Sequence, residues 1–262
     1  MTDISLPSQA QIDAVLSPDG IPVEAPPDLS VELPGGYIDG TGRLLKKAEV
    51  RELNGEDEEA LARGGNSSSF IRYFNTILSR AVVGIEDIEP DHAVLQGLLM
   101  GDRMMLLLAI RRVTYGDDVE MSLTCPKCNA EFDVAIELDK DVEIREMEDP
   151  MKRTHEVPLR KEHVATVRFI NGADQEAALG DGKRTVAEQN TILLSRCITH
   201  LDGKPVIGDD LILRMGLQDR KTVLQFLTDS QPGPLLEEVS VPCSVCGEVS
   251  PLPLSIEDLF RY

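Results

Sequence analysis

The chain has 262 residues, enough for one large domain or two small ones to bury a core. It is 42% apolar and 27% charged, with 26 Lys+Arg against 46 Asp+Glu, a net charge of -20 and a pI near 4.5. A surface of that sign repels phosphate backbones and anionic lipid, and 4% aromatic residues with no Trp leave little to stack on bases, so nucleic-acid and membrane partners are disfavoured.

The longest apolar run, Met104 to Ile110, is far short of the roughly 20 residues a membrane helix needs. The opening Met1-Thr2-Asp3 has no basic segment followed by an apolar one, which sets the expectation of a reducing cytoplasm. Residues 1–40 hold no Lys or Arg, seven acidic residues and six of the sixteen prolines. Pro22, Pro26, Pro27 and Pro34 prevent a long helix, so 1–40 reads as an extended acidic arm, either solvated or ordered against a partner.

From Val50 onward the sequence repeats itself. Val50-Arg51-Glu52-Leu53-Asn54-Gly55-Glu56-Asp57 returns as Val167-Arg168-Phe169-Ile170-Asn171-Gly172-Ala173-Asp174, 117 positions later. Asn75-Thr76-Ile77-Leu78 matches Asn190-Thr191-Ile192-Leu193 at 115, Asp102-Arg103 matches Asp219-Arg220 and Gly116 matches Gly233 at 117, and Cys125-x-x-Cys128 matches Cys243-x-x-Cys246 at 118. Ordered matches at a nearly constant spacing predict a tandem duplication. The expected organisation is an arm (1–40), a first module (41–138), a linker (139–158), and a second module with a C-terminal tail (159–262).

Each module is expected to open with a short strand (Ala48 to Leu53; Ala165 to Ile170) that runs into an Asn-Gly turn. The Asn caps the next helix, with Asp57 or Asp174 in the first turn, where the helix dipole favours negative charge. A longer amphipathic helix follows, its apolar face formed by Phe70, Phe74, Ile77, Leu78 and Ala81 in one copy. Val186, Leu193, Leu194, Cys197, Ile198 and Leu201 form it in the other. A further helix begins near Asp102 or Asp219, and its run Met104–Ile110 is apolar all round, which predicts burial on most sides. A glycine, a strand, the cysteine pair and a second strand complete the module, and the fold class is α+β.

Both cysteine pairs have the flanks of a hairpin knuckle. Asn129 and Gly247 follow them, residue types that tolerate positive φ, and Glu131 to Ile136 alternates as an outgoing strand does. Two knuckles supply four thiolates, the donor set of a structural Zn2+. A usual ribbon has about 15–20 residues between its pairs; here 114 intervene. The duplication accounts for the distance: Cys125 and Cys128 come from one module, Cys243 and Cys246 from the other, and the knuckles are expected to meet near a pseudo-twofold axis around one Zn2+ per chain. Structural zinc contributes on the order of 10–16 kcal/mol in small peptides. A redox pair is the alternative for each Cys-x-x-Cys, without a thioredoxin-like context to support it. Cys197 reads as a core thiol.

No catalytic set emerges. His92, His155, His163 and His200 form no zinc-protease pattern, and neither a Gly-x-Ser-x-Gly nor a phosphate-binding glycine loop is present. His155 and His163, beside Glu156 and Glu162, are a minor candidate for a second metal site. The run Glu56–Glu59 reads as a solvated, capped helix start. Arg103 and Arg220 read first as surface charge, with a contact at an inter-module or partner interface as the sharper alternative.

The run Gly101-Asp102-Arg103-Met104 to Ile110-Arg111-Arg112-Val113-Thr114-Tyr115-Gly116, followed by a strand and Cys125-Pro126-Lys127-Cys128, resembles the T4-type baseplate protein family. Leu217-Gln218-Asp219-Arg220, Gly233 and Cys243 to Cys246 show the same features more weakly. The resemblance implies a non-enzymatic part of a phage-type tail baseplate or hub. Such a part would act as an adaptor among other tail and baseplate proteins in a hetero-oligomeric assembly, in the virion tail and assembled in the host cytoplasm. Two other classes stay open. One is an assembly chaperone absent from the mature particle. The other is a zinc-ribbon nucleic-acid module, which the acidic charge opposes.

Overall fold

The computed structural model describes residues 29–64, 70–180, 182–236, 239–252, 254–255 and 259–260. Residues 1–28 of the expected arm lie outside them. Residues 29–38, also expected in the arm, form strand β1 (Leu29–Ile38), which pairs antiparallel with β2 (Leu44–Val50). Their sequence carries the reason: Leu33 is fully buried and Val31 packs on the core beside Leu45, Ala48 and Val50 of β2.

The chain then runs through α1 (Gly55–Gly64), α2 (Phe70–Ala81), β3 (Val82–Ile85), α3 (His92–Gly97) and α4 (Met100–Tyr115). The hairpin β4 (Asp118–Thr124) and β5 (Glu131–Glu137) follows, then the short α5 (Leu138–Asp141) and β6 (Ile144–Arg145). The second half repeats the order. Strands β7 (Thr154–Pro158) and β8 (Val164–Arg168) lead to α6 (Gly172–Leu179), α7 (Val186–Cys197), β9 (Ile198–Leu201) and β10 (Lys204–Pro205). After them come α8 (Asp210–Arg214), α9 (Leu217–Asp229), β11 (Gly233–Pro234), β12 (Ser240–Pro242) and β13 (Val249–Pro251). The result is a mixed α+β fold, with sheets β1-β2-β3 and β10-β9-β8-β7 and the two-stranded pairs β4-β5, β12-β13 and β6-β11.

The halves agree in detail. Ala48 and Glu49 face Ile85 and Gly84, then a register shift brings Val50 opposite Val82. Ala165 and Thr166 face Leu201 and His200, then the same shift brings Val167 opposite Ile198. Each Asn-Gly turn closes a reciprocal cap. The Asp57 N–H donates to Asn54 Oδ1 (3.2 Å) and the Asn54 N–H to Asp57 Oδ2 (3.0 Å); Asp174 and Asn171 do the same at 3.0 and 3.1 Å. Both caps are anchored from below. Arg51 reaches Asp57 in a fork at 2.7 and 3.1 Å with Arg80 at 3.2 Å, and Arg168 reaches Asp174 at 2.6 and 3.0 Å with Arg196 at 2.7 Å. The acidic run expected to be solvated therefore contains one buried, doubly paired carboxylate in each half.

The apolar faces need small corrections. In α2 the buried set is Ile71, Phe74, Ile77, Leu78 and Ala81, with Ile71 in the place expected for Phe70, which is exposed. Val186 is exposed, and Ile198 and Leu201 lie in β9, because the backbone turns extended at Ile198 as α7 ends. The run Met104–Ile110 is buried from Leu106 onward.

Two cores form, and they do not divide the chain at a single point. The first gathers β1 to α5 together with Leu236, Val239, Val241, Leu252, Leu254, Leu259 and Phe260 from the chain's end. The second holds β7 to α9. The expected linker is also structured: β6 pairs with β11, and β7 is the edge of the second sheet. Gly116 and Gly233 both have positive φ but different tasks. Gly116 ends α4, its N–H on the Arg112 carbonyl at 2.9 Å, whereas Gly233 carries the chain across α4 at Gly101. A Cβ on Gly101 would lie 1.5 Å from the Pro232 oxygen, so the crossing requires glycine on the helix.

Asp174 is fully buried. Burial pulls its carboxyl up, but Arg168, the Asn171 N–H and Arg196 together outweigh that and hold it below the usual range. A depressed carboxyl contributes stability above its unfolded pKa and loses it as pH falls through the folded value. Asp174→Ala strands two arginines and is expected to cost about 3–5 kcal/mol in denaturant unfolding at pH 7, a deficit that shrinks as the pH falls below about 4.

Candidate metal centre

The knuckles are built by hairpin geometry. β4 and β5 pair from Asp118–Glu137 to Thr124–Glu131, and the chain turns between them with the Cys125 N–H on the Ala130 carbonyl and the Asn129 N–H on the Cys125 carbonyl, each 2.9 Å. The second turn matches it: the Cys243 N–H meets the Glu248 carbonyl at 2.8 Å and the Gly247 N–H the Cys243 carbonyl at 2.9 Å. Asn129 (φ 55°) and Gly247 (φ 71°) occupy the left-handed positions that make each turn tight.

The fold brings the two turns together. The sulfurs of Cys125, Cys128, Cys243 and Cys246 all lie within 4.8 Å of one another. Cys125 Sγ is 3.7 Å from Cys246 Sγ, and Cys128 Sγ is 3.8 Å from Cys243 Sγ. A tetrahedron with metal–sulfur bonds near 2.3 Å has sulfur–sulfur edges of about 3.8 Å. The donor set and its spacing therefore fit a thiolate-bound dication. Lys127 Nζ reaches Glu248 Oε2 at 2.6 Å across the two turns.

The N–H groups of Cys128 and Lys127, directed at Cys125, bring its thiol down to about 6. The Glu248 N–H acts the same way on Cys246, but desolvation and the neighbouring sulfurs of Cys128, Cys125 and Cys243 outweigh it and push that thiol up to about 12. Four thiolates repel one another at this distance, and a bound dication relieves that repulsion.

The other candidates fall elsewhere. Cys197 is fully buried, and burial raises its thiol to about 12, as fits a core position. His155 and His163 do not converge. The His155 ring packs on Phe169 and Phe226 at 4.7 and 5.7 Å, while His163 Nδ1 lies 2.6 Å from Asp202 Oδ2. Among the described residues the four cysteines are the one cluster able to hold a metal.

Arg103 is not surface charge: it is 3% exposed and lies where the halves meet. It donates to the Leu95 carbonyl (2.8 Å), to Asn75 Oδ1 (2.5 Å) and, across to the second half, to Gln175 Oε1 (3.2 Å). Arg220 repeats the first two contacts, on the Ile212 carbonyl (2.9 Å) and Thr191 Oγ1 (2.8 Å). Asn75 and Thr191, 116 positions apart, thus play the same part towards the two arginines. Around Arg103 the start of α6 is seated on α2, α3 and α4. The Gly172 N–H meets the Leu98 carbonyl (3.1 Å), the Met100 N–H the Ile170 carbonyl (2.8 Å), and Gln96 Nε2 donates to Glu176 Oε2 (2.8 Å). A Cβ on Gly172 would lie 2.6 Å from the Arg103 guanidinium. This joint runs in one direction, unlike the reciprocal pairing of the knuckles. The matching start of α1 is not seated on the second half, and open space surrounds Gly55.

Residues 43–247 match the family described as T4 bacteriophage base plate protein, a stretch that contains both knuckles, both Asn-Gly caps and the joint. The chain belongs to that family. No curated protein and no solved structure matches it.

Asp102, beside Arg103, is fully buried; its Oδ1 accepts the Gly35 N–H at 2.8 Å, and its Oδ2 has no hydrogen-bond partner. Burial raises its carboxyl to about 6, against the pull of the Gly35 and Gly36 N–H groups and of Arg153. A carboxyl raised on folding favours the protonated folded state, so it weakens stability as pH climbs from about 4 through 6. Asp102→Asn is expected to be more stable than the native chain at pH 8, by about 2–3 kcal/mol if the bond from Gly35 persists, with the gain vanishing near pH 4. Urea melts of both proteins at the two pH values check this.

Proposed function

We propose that the chain is a non-enzymatic structural component of a phage-type tail baseplate or hub, built from a tandem duplication and closed by one structural zinc on Cys125, Cys128, Cys243 and Cys246. The observation that carries this reading is the convergence of two knuckles, one from each half, within a family match that spans both. All four donors are thiolates, the complement that structural zinc uses and that leaves no coordination position open for chemistry. The agreement of strand registers, caps and Asp-Arg pairs supports the duplication.

In this reading the protein is an adaptor. Two related modules engage related sites on neighbouring tail or baseplate proteins, in a hetero-oligomeric assembly located in the virion tail and formed in the host cytoplasm. The domain plan is an arm ahead of β1, two modules that each carry a sheet, four helices and a knuckle, and a connection between them. Among the described residues no helix is long and apolar enough to cross a membrane.

Metal analysis of the purified protein is expected to find one zinc per chain, and Cys243→Ser to lose most of it. Protein expressed with zinc in the medium and purified without chelator that holds no metal would refute the zinc. The structural role predicts the chain in purified particles by mass spectrometry, and particles assembled without it are expected to have defective baseplates.

A further inference from the structure

We propose that the chain self-associates head to tail, the start of α1 of one copy seating in the cleft between α7, α8 and α9 of the next. The joint inside the chain is the template. There α6 enters the cleft of α2, α3 and α4, with Gly172 against Arg103, Gln175 on Arg103 Nε and Glu176 on Gln96. Gly172, Gln175 and Arg103 have counterparts in the other half, Gly55, Glu58 and Arg220, while Leu213, 64% exposed, stands where Gln96 does.

On one side stand Asn54-Gly55 and Glu58, all exposed, where Gly172 is buried and Asn171 and Gln175 are half-buried. A Cβ on Gly55 would meet nothing within 4 Å. Alongside runs a groove of about 520 Å³ lined by Leu53, Asn54, Gly55 and Glu58. On the other side is the α9 cleft. Arg220 makes the two contacts inside its own half that Arg103 makes, but among the described residues its Nε has no partner. Leu217, the counterpart of Met100, is 83% exposed, and a groove of about 420 Å³ lies beside it, lined by Asn190, Leu217, Arg220 and Lys221. Among the described residues no segment bridges Gly216 as Asn171 bridges Leu99.

The charges select the occupant. α1 presents Glu56, Glu58 and Glu59 to solvent, and the cleft offers Arg220 and Lys221 with one carboxylate, Asp229, at its lining. Glu58 stands where Gln175 does, so a bond from the Arg103 cation to an uncharged amide becomes an ion pair to Arg220. A second copy of this chain carries both surfaces, and because the two differ, the contact is heterologous and leads to a ring or a filament. The inference rests on the two-module reading and is independent of the metal.

Sedimentation velocity at physiological ionic strength, where the net charge of -20 is screened, is expected to show species larger than a monomer that grow with concentration. Gly55→Arg with Glu58→Lys removes one surface, and Leu217→Asp the other. All three positions are exposed, so the variants should keep the native melting temperature while losing the oligomer. Mixing the two variants should restore a 1:1 dimer and nothing larger, because one intact α1 face and one intact cleft remain. A native chain that stays monomeric up to its solubility limit overturns the proposal. So does an oligomer that both variants retain, or a mixture that yields no dimer. Zinc content of the variants reports on the metal reading separately.

Discussion

The Arg103 guanidinium lies where both halves of the chain meet, and their mutual placement depends on it. It is buried, and desolvation lowers its pKa to about 10 against the pull of Glu176, so it remains a cation at neutral pH. A buried cation is tolerated only when its donors are occupied. Leu95, Asn75 and Gln175 take them, from α3, α2 and α6 in turn. The same guanidinium fixes the residue opposite: only a glycine at 172 leaves room for it. Charge compensation and close packing thus act on one atom group, and the second half is registered against the first.

The sulfur cluster is a second link, remote in sequence and different in kind. Its knuckles are carried by the first core, because Val241 and Leu252 beside the second knuckle pack with Val119 and Ile136 beside the first. Apolar burial therefore holds the two hairpins side by side beneath the four thiols. What a dication adds is relief of charge among sulfurs less than 5 Å apart. Its loss would first loosen the turns at Cys128 and Cys246, which are exposed, more than the helical cores beneath.

Local chemistry made much of this readable from the sequence. The Asn-Gly caps, the positive-φ residues after each cysteine pair and the four ligating candidates are short-range patterns, and each sits where the pattern placed it. Long-range contacts were not readable. Arg103 looked like surface charge because nothing beside it in sequence marks the carbonyls it would meet. β1 looked like part of the arm because Pro34 and its two glycines hid the alternation at Val31 and Leu33; residues 33–36 form the irregularity between its two paired stretches. Matching identical letters paired Asn75 with Asn190, whereas the structure pairs residues by shared task. Asn75 and Thr191 differ in kind, and each takes a bond from an arginine two helices further on.

The asymmetry of the joint bears on how a repeated unit can build larger structures. Two copies related by a twofold would satisfy each other's surfaces and close. Here α6 enters the first cleft while α1 does not enter the second, so each half contributes a different surface to the contact. The knuckles, by contrast, pair sulfur to sulfur across one centre, Cys125 with Cys246 and Cys128 with Cys243. Reciprocal pairing at the knuckles and one-way pairing at the helices coexist because the second knuckle does not travel with its own core. The chain leaves the second core after α9, crosses α4 at Gly101 through Gly233, and delivers β12 and β13 to the first. That crossing demands glycine at 101, and the corresponding position in the second half, Gln218, is exposed because nothing crosses there. The sequence difference between two otherwise matching Asp-Arg motifs thus follows from the path of the chain.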